Sequence, residues 1–428
     1  HLARAFADEA TAAGVRVLRG GAEGPNFVAA YHAWRPVIEA LLDVADTGDP
    51  AARRARADAA FAAHDLRREL APLLADVIAL DLADNDFTRQ LDPQVRADNL
   101  LSLLTDLLRR RLAGAPALIV VEDAHWFDSA SWSLALALSR LTGGAAALLV
   151  LTARPDDSPP PARRELLTHA DAEVLRLTAL SPEDCGALLG ARLGLADVPA
   201  SLARRVHDWT SGTPFFVEQV ALALQEAGLV RRDAGAAVLI AGEQELAAFQ
   251  VPASVEALIS RRLARLSPGA LLALQVIAVL GRPVARDELS GLLARIDPGL
   301  DARGADPALA AGLLVHPPRA PAVLAFPHAL ALKATYEAID PPIRRRLHEI
   351  VATWYEEHVP GDMASRVAAL AHHWSRAEVP DKALRYLGPA GEQAFLAFAS
   401  REAVGFLREA LARADQAAAP PSPAARAG

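Results

Sequence analysis

Two short, unbroken apolar runs, residues 117–121 and 145–151, constrain the fold more than any other feature, because each sits between stretches of helical periodicity. They are far shorter than the ~20 residues that a membrane span needs. Bounded as they are, they have the length and texture of strands buried on both faces. Such strands arise when parallel β-strands alternate with helices that cover both sides of a sheet. Residues 15–18 and 174–177, each apolar but for one arginine, are two further short strand candidates. The expectation is therefore a parallel sheet between two helix layers.

The helices around these runs are read from their apolar spacing. Residues 1–13 carry Leu2, Phe6 and Ala10 on one face, and Gly14 stops them. Residues 31–44 are apolar at Trp34, Ile38, Leu41 and Leu42, and residues 46–65 read as an exposed, alanine- and arginine-rich helical insert. Residues 99–112 hold leucines at 100, 101, 103, 104, 107, 108 and 112, a helix with a wide buried face. Asp128 opens a helix through Leu141, while Ser181 and Pro182 supply the cap and first position of another. Beyond residue 189 strands become rare: residues 202–209, 215–227, 255–266 and 270–280 read as helices. Short strands at 313–315 and 323–326 then give the order of a winged helix. From Ile343 the chain is helical again. Residues 368–374, 380–394 and 399–412 form antiparallel helix pairs of TPR-like flavour, and the tail from Ala417 reads as a linker.

Composition narrows the function classes. A chain of 428 residues exceeds one compact core. Its formal charge of −8 provides no basic field for direct nucleic-acid binding. A single cysteine, Cys185, excludes an internal disulfide and a thiolate metal cluster, which fits a reducing, cytoplasmic setting. No apolar run is long enough for a membrane helix.

The chemistry concentrates at strand ends. The run ending at Val121 is followed at once by Glu122 and Asp123. The carboxyl end of a buried parallel strand faces the crevice where ligands bind in open α/β sheets. Two carboxylates there suit a Mg²⁺ water shell and the orientation of an attacking water; two acids that merely solvate a strand tip would read the same. The next strand ends in Thr152 and Arg154, and an arginine fork there either reads a γ-phosphate or caps a strand at the surface. No G-x-x-x-x-G-K-[ST] motif occurs, and the only lysines, Lys333 and Lys382, lie outside glycine-rich loops. A phosphate-binding loop is normally followed by a helix and then a second strand. The chain opens on such a helix and strand, at His1 rather than a methionine, so the expectation is a loop just upstream of His1.

Four segments carry a resemblance. They are Leu118-Ile-Val-Val-Glu-Asp-Ala-His-Trp-Phe-Asp128, Leu149-Val-Leu-Thr-Ala-Arg-Pro155, Trp209-Thr-Ser-Gly-Thr-Pro-Phe-Phe216 and Phe326-Pro-His-Ala-Leu330. Together they resemble the ATPase module of the STAND class of AAA-like signalling proteins, found in soluble-adenylyl-cyclase-like class III cyclases and large LuxR-type regulators. The first segment looks like that family's Walker B motif, the second like its sensor strand. The third is similar to the glycine-x-proline motif beside adenine, the fourth to the winged-helix histidine motif. Pro327 stands where the family usually has a basic residue.

The resemblance implies an α/β P-loop NTPase core with its first strand and P-loop missing. All-α helical and winged-helix domains would follow, and then the start of a TPR-like helical repeat. The corresponding partition is a nucleotide-binding core at 1–190, a helical lid at 191–250, a winged-helix-like domain at 251–342, TPR-like repeats at 343–416 and a linker at 417–428. By the same resemblance, Glu122 would hold Mg²⁺ through water and Asp123 would orient the hydrolytic water. Thr152 and Arg154 would sense the γ-phosphate of ATP, Gly212 and Pro214 would lie near adenine, and His328 would report a bound diphosphate. Blander readings stand beside these: His125 and Trp126 as packing, Asp128 as a helix cap, Pro214 as a turn residue. His372 and His373 read as structural, since adjacent residues point to different helix faces and no third ligand is evident.

The implied activity is an ATP- and Mg²⁺-dependent switch, with a protein or small-molecule signal entering through the repeats and a nucleotide-dependent oligomer as its output. Three settings are open. One is a class III cyclase, favoured by residues 30–38, 82–88 and 94–99, which look like cyclase-linked modules. Another is a LuxR-type regulator with a DNA-binding domain downstream. The third is a degenerate ATPase that serves as a scaffold.

Overall fold

The computed structural model describes residues 2–22, 30–45, 49–78, 80, 82–142, 146–233, 236–240, 255–317, 320–358, 366–396 and 399–418. The chain divides into two compact units, one of residues 1–173 with 341–428, the other of residues 174–340.

In the first unit, α1 (Leu2–Ala12) passes through Gly14 into β1 (Arg16–Gly21). A short 3₁₀ turn (His32–Trp34) leads into α2 (Arg35–Leu41). The single helix expected over 31–44 is broken at its start because Tyr31 takes a left-handed conformation, φ 58°. Next come α3 (Pro50–Ala63), a 3₁₀ segment (Arg68–Asp76) and α4 (Pro93–Leu112). Helix α3 is not the exposed insert that its composition suggests. Ala57, Ala60 and Phe61 are buried in the main core, which alanine's small face allows. Residues 46–48 of that expected helix lie outside the described residues.

The sheet itself is β2 (Ala117–Glu122), paired in parallel with β1 on one side and β3 (Ala147–Leu151) on the other. Between β2 and β3 runs α5 (Ser129–Thr142), and α6 (Pro161–Leu167) follows β3. The alternation along β2 explains its apolar run. Leu118 and Val120 pack with Ala7 on α1, while Ala117, Ile119 and Val121 face a second core built from α2, α4 and α5. Gly20 is needed where the 3₁₀ turn crosses β1, since a Cβ there would lie 2.4 Å from the Ala33 carbonyl oxygen.

Two expectations are overturned here. Strand β3 is only half-buried, with Leu148 51% exposed. Residues 174–177 form no strand: Val174, Leu175 and Leu177 are exposed, at 52%, 78% and 78%. The reason is the same in both cases, because a strand is stabilised by its neighbours. Among the described residues β3 pairs on one side only.

The second unit begins with α7 (Pro182–Leu193), α8 (Ala200–Thr210) and α9 (Pro214–Glu226), packed through Cys185, Leu189, Val206, Val217, Val220 and Leu224. A hairpin of β4 (Val230–Asp233) and β5 (Ala236–Leu239) follows, which the sequence reading did not foresee. Then come α10 (Val255–Leu263), α11 (Pro268–Leu280), β6 (Val284–Ala285), α12 (Arg286–Ile296), α13 (Asp306–Ala310), β7 (Val323–Leu324) and α14 (Ala329–Glu337). Strand 313–315 reduces to a single bridge from Val315 to Ala325. Strand 323–326 reduces to β7, whose partner is β6.

The chain then returns to the first unit as α15 (Pro341–His358), α16 (Val367–Arg376), α17 (Pro380–Leu396) and α18 (Ser400–Ala418), each packed on the next. Ala394, Ala399 and Ala403 enter the core beside the sheet. Of the linker expected from residue 417, residues 417 and 418 are the last of α18, and 419–428 lie outside the described residues. Among the described residues no helix is long and apolar enough to cross a membrane.

Candidate functional site

Glu122, Asp123 and Thr152 come together at the carboxyl end of the sheet. The last register pair is Val121 with Leu151, so the two strand tips continue side by side. They are tied together by three hydrogen bonds. Thr152 N–H donates to the Val121 carbonyl at 3.2 Å, Ala124 N–H donates to the Thr152 carbonyl at 2.7 Å, and Asp123 N–H donates to Thr152 Oγ1 at 3.0 Å. The threonine hydroxyl thus positions Asp123 as well as facing the crevice. Asp123 sits at φ 55°, ψ 39°, a left-handed conformation that aspartate tolerates and that turns the chain into a 3₁₀ turn (Ala124–Trp126). Strained backbone of this kind gathers at functional sites.

Both carboxylates, of Glu122 and Asp123, are exposed, and among the described residues neither meets a lysine or arginine. Such a pair offers oxygen ligands to a hard divalent cation. Arg154 is also exposed. Its carbonyl accepts from Arg163 Nη2 at 2.8 Å, so α6 holds the loop while leaving the Arg154 guanidinium in solvent. Neither lysine is available as a phosphate donor, for Lys382 is paired with Glu356 at 2.9 Å and Lys333 with Glu337 at 3.7 Å.

His125, read as packing, lies beside Asp123, with its ring 4.8 Å from that of Trp126. Among the described residues neither of its ring nitrogens, both buried, has a hydrogen-bond partner. Nδ1 lies 3.8 Å from Asp123 Oδ1. Burial lowers the imidazole pKa; Asp123 raises it, and Arg154 and Arg163 lower it further, for a net fall. A neutral ring with two unsatisfied nitrogens beside a carboxylate is an uncommon burial, since each such group costs about 1–3 kcal/mol. The only sequence signal for it is its place two residues after Asp123.

Asp128 keeps the cap role. Its Oδ1 accepts from Ser131 N at 2.8 Å and Tyr31 N at 3.3 Å, and Oδ2 meets Ser131 Oγ at 2.5 Å. The side chain therefore starts α5 and ties it to the turn before α2. Trp34 Nε1 donates to the Ser131 carbonyl at 3.1 Å, a second tie at the same place.

Gly212, Pro214 and His328 lie in the second unit. Gly212 has φ 66°, and a Cβ on it would stand 2.4 Å from the Leu180 carbonyl oxygen. Its own carbonyl accepts from Leu180 N at 2.8 Å. Backbone contact alone thus explains the glycine, and Gly212→Ala is expected to destabilise this unit by about 1–3 kcal/mol or more. An unchanged urea midpoint would contradict that. Pro214 is the first residue of α9, after Thr213 at the cap. The next ring, Phe215, meets His328 edge-on at 4.6 Å. His328 Nε2 lies 3.6 Å from Glu218, whose other oxygen accepts from Arg192 at 2.6 Å. Burial alone would raise the Glu218 carboxyl, but bonds from His328 and Arg192 hold it below the usual carboxylate range. Neither Glu218 nor Arg192 is legible as a site residue in the sequence.

No protein-family model matches this chain. No curated protein matches it either. A solved structure from Pyrococcus horikoshii, a signal transduction ATPase with numerous domains (STAND) protein with a tetratricopeptide repeat sensor, is similar at TM-score 0.45 and 11% identity, over 94% of this chain and 57% of that one. The chain spans a little over half the length of that protein. A likeness of that strength leaves function to be argued from the residues.

Proposed function

We propose that this chain is the regulatory core of a nucleotide-gated switch of the STAND type, acting on ATP with Mg²⁺. The observation that carries the reading is the pair of exposed carboxylates at the tip of the central buried parallel strand, fixed by Thr152 of the next strand. Bound Mg²⁺–ATP would supply an electrophilic γ-phosphorus and a charge-neutralising cation. Glu122 would hold the hydrated cation, Asp123 would orient the attacking water, and Arg154 would be the donor for developing negative charge. His125, neutral and 3.8 Å from Asp123, can fix that carboxylate. The resemblance assigns the adenine role to Gly212 and Pro214 and the diphosphate report to His328, whose ring meets Phe215 edge-on within the second unit.

These residues fit the metal end of the ligand. They do not provide a cradle for the phosphates, because no lysine loop lies among them.

The helices α15–α18 are the sensor in this reading. Their route to the site is short. Glu402 accepts from Ser129 Oγ at 2.9 Å, and Arg401 donates to the Phe127 carbonyl at 3.3 Å, so α18 grips the loop that leads from Asp123 to α5. We favour a class III nucleotidyl cyclase as the output, on the sequence resemblance of residues 30–38, 82–88 and 94–99.

The test is equilibrium binding of ATP and ADP, with and without Mg²⁺, to this chain and to a form extended upstream by roughly one strand–loop–helix unit. Mg²⁺-dependent binding by the extended form alone is the expected result. If the extended form carries a lysine loop and still binds no nucleotide, the switch reading fails and a scaffold remains.

A further inference from the structure

Away from the strand tips, three histidines converge between α15 and α16. His348 projects from α15, and His372 and His373 from α16. Their ring centroids form a near-equilateral triangle, 5.7 Å from His348 to His372, 5.1 Å from His348 to His373 and 5.3 Å between His372 and His373. Neighbours on a helix are about 100° apart, yet both rings meet His348, which supplies the third nitrogen that the sequence did not reveal.

His348 and His373 are buried, at 0% and 3% exposure, and His372 is half-buried. His348 Nδ1 and His373 Nδ1 share a proton at 2.9 Å. Nε2 of His372 is buried with no hydrogen-bond partner among the described residues. One ring nitrogen from each of the three lies within 4.8 Å of the others.

We propose that His348, His372 and His373 are a three-histidine site for Zn²⁺ or a similar late first-row divalent ion, which pins α15 to α16. Neutral imidazole is the ligand that such ions take readily. At a Zn–N bond of about 2.0–2.1 Å, tetrahedral ligand atoms lie about 3.3 Å apart. The 2.9 Å pair is about 0.4 Å closer than that and the wider contacts stay within 4.8 Å, so small ring rotations bring the three nitrogens to that spacing. Arg344 and Arg376 oppose a bare cation there, so the fourth ligand is an anion such as hydroxide or chloride, which lowers the net charge of the centre.

The site would make the packing of the first two sensor helices depend on metal. Unlike the nucleotide reading, it stands on α15 and α16 alone. The experiment is a calorimetric Zn²⁺ titration of the full chain, with X-ray absorption of the bound metal and circular dichroism of each variant. One tightly held Zn²⁺ per chain with three imidazole ligands is expected. Since loss of even an outer-sphere partner costs about 10–100-fold in affinity, His372→Ala and His348→Gln should each weaken binding by at least about tenfold. Absent binding, unchanged affinity in both folded variants, or fewer than three imidazoles on the wild-type metal would each overturn the proposal. The wild-type ligand count decides alone if a variant misfolds.

Discussion

Asp123→Asn is expected to lower ATP hydrolysis about 10²–10⁴-fold in the nucleotide-competent, upstream-extended form, the range that a positioned general base supplies, while ATP affinity stays within about threefold. The substitution is chosen for its backbone. Asp123 sits at φ 55°, where most residues are strained but asparagine is at ease, so the variant removes charge and leaves the turn intact. The bond from its N–H to Thr152 Oγ1 also survives. Glu122→Gln, by contrast, should weaken the dependence on Mg²⁺, because Glu122 is assigned to the hydrated cation. Single-turnover assays and Mg²⁺ titrations separate the two effects. Wild-type turnover in Asp123→Asn would remove that residue from the reaction, and the crevice would then lack an oriented base.

How much of this was legible depended on how local each cause is. Ser181 before Pro182 announces a helix because the cap bond closes within three residues, to Asp184 N, whereas α4 starts at Pro93 behind the same kind of cap on Asp92, six residues before the leucine spacing places it. The apolar run of β2 was legible because burial on both faces leaves an unmistakable composition. Residues 174–177 are apolar at Val174, Leu175 and Leu177 with Arg176 among them, and they form no strand, since pairing depends on a neighbour that their own letters do not encode. The same limit hid the chemistry. Glu122 and Asp123 follow their strand directly, and Thr152 and Arg154 follow the next. His348 lies 25 residues from His373, and Glu218 sits on a different helix from the Arg192 that charges it. Such partners become visible only once the helices pack.

Asp128→Ala is expected to destabilise the sheet-bearing unit by about 2–4 kcal/mol, from loss of a helix cap and two stranded donors. Those donors, Ser131 N and Tyr31 N, are held by Oδ1 alone. Asp128→Asn keeps that oxygen and offers an N–H₂ to Ser131 Oγ, so it should cost less than about 1 kcal/mol at neutral pH. The pH dependence separates cap from charge. Burial pushes the Asp128 carboxyl above its ordinary value of 3.8, despite bonds from Ser131 and Tyr31 that pull it down and with Glu402 adding to the rise. A carboxyl raised in the folded state binds its proton more tightly there than in the unfolded chain. Its protonation therefore favours the fold, and this contribution is lost as pH rises from 3.8 through the raised value. Asparagine has no such term. Urea denaturation at a series of pH values should accordingly show wild type gaining on Asp128→Asn as pH falls toward the ordinary carboxylate value. A gap that stays constant with pH would mean that Asp128 is not held in a raised state, and that the cap alone accounts for its place at the start of α5.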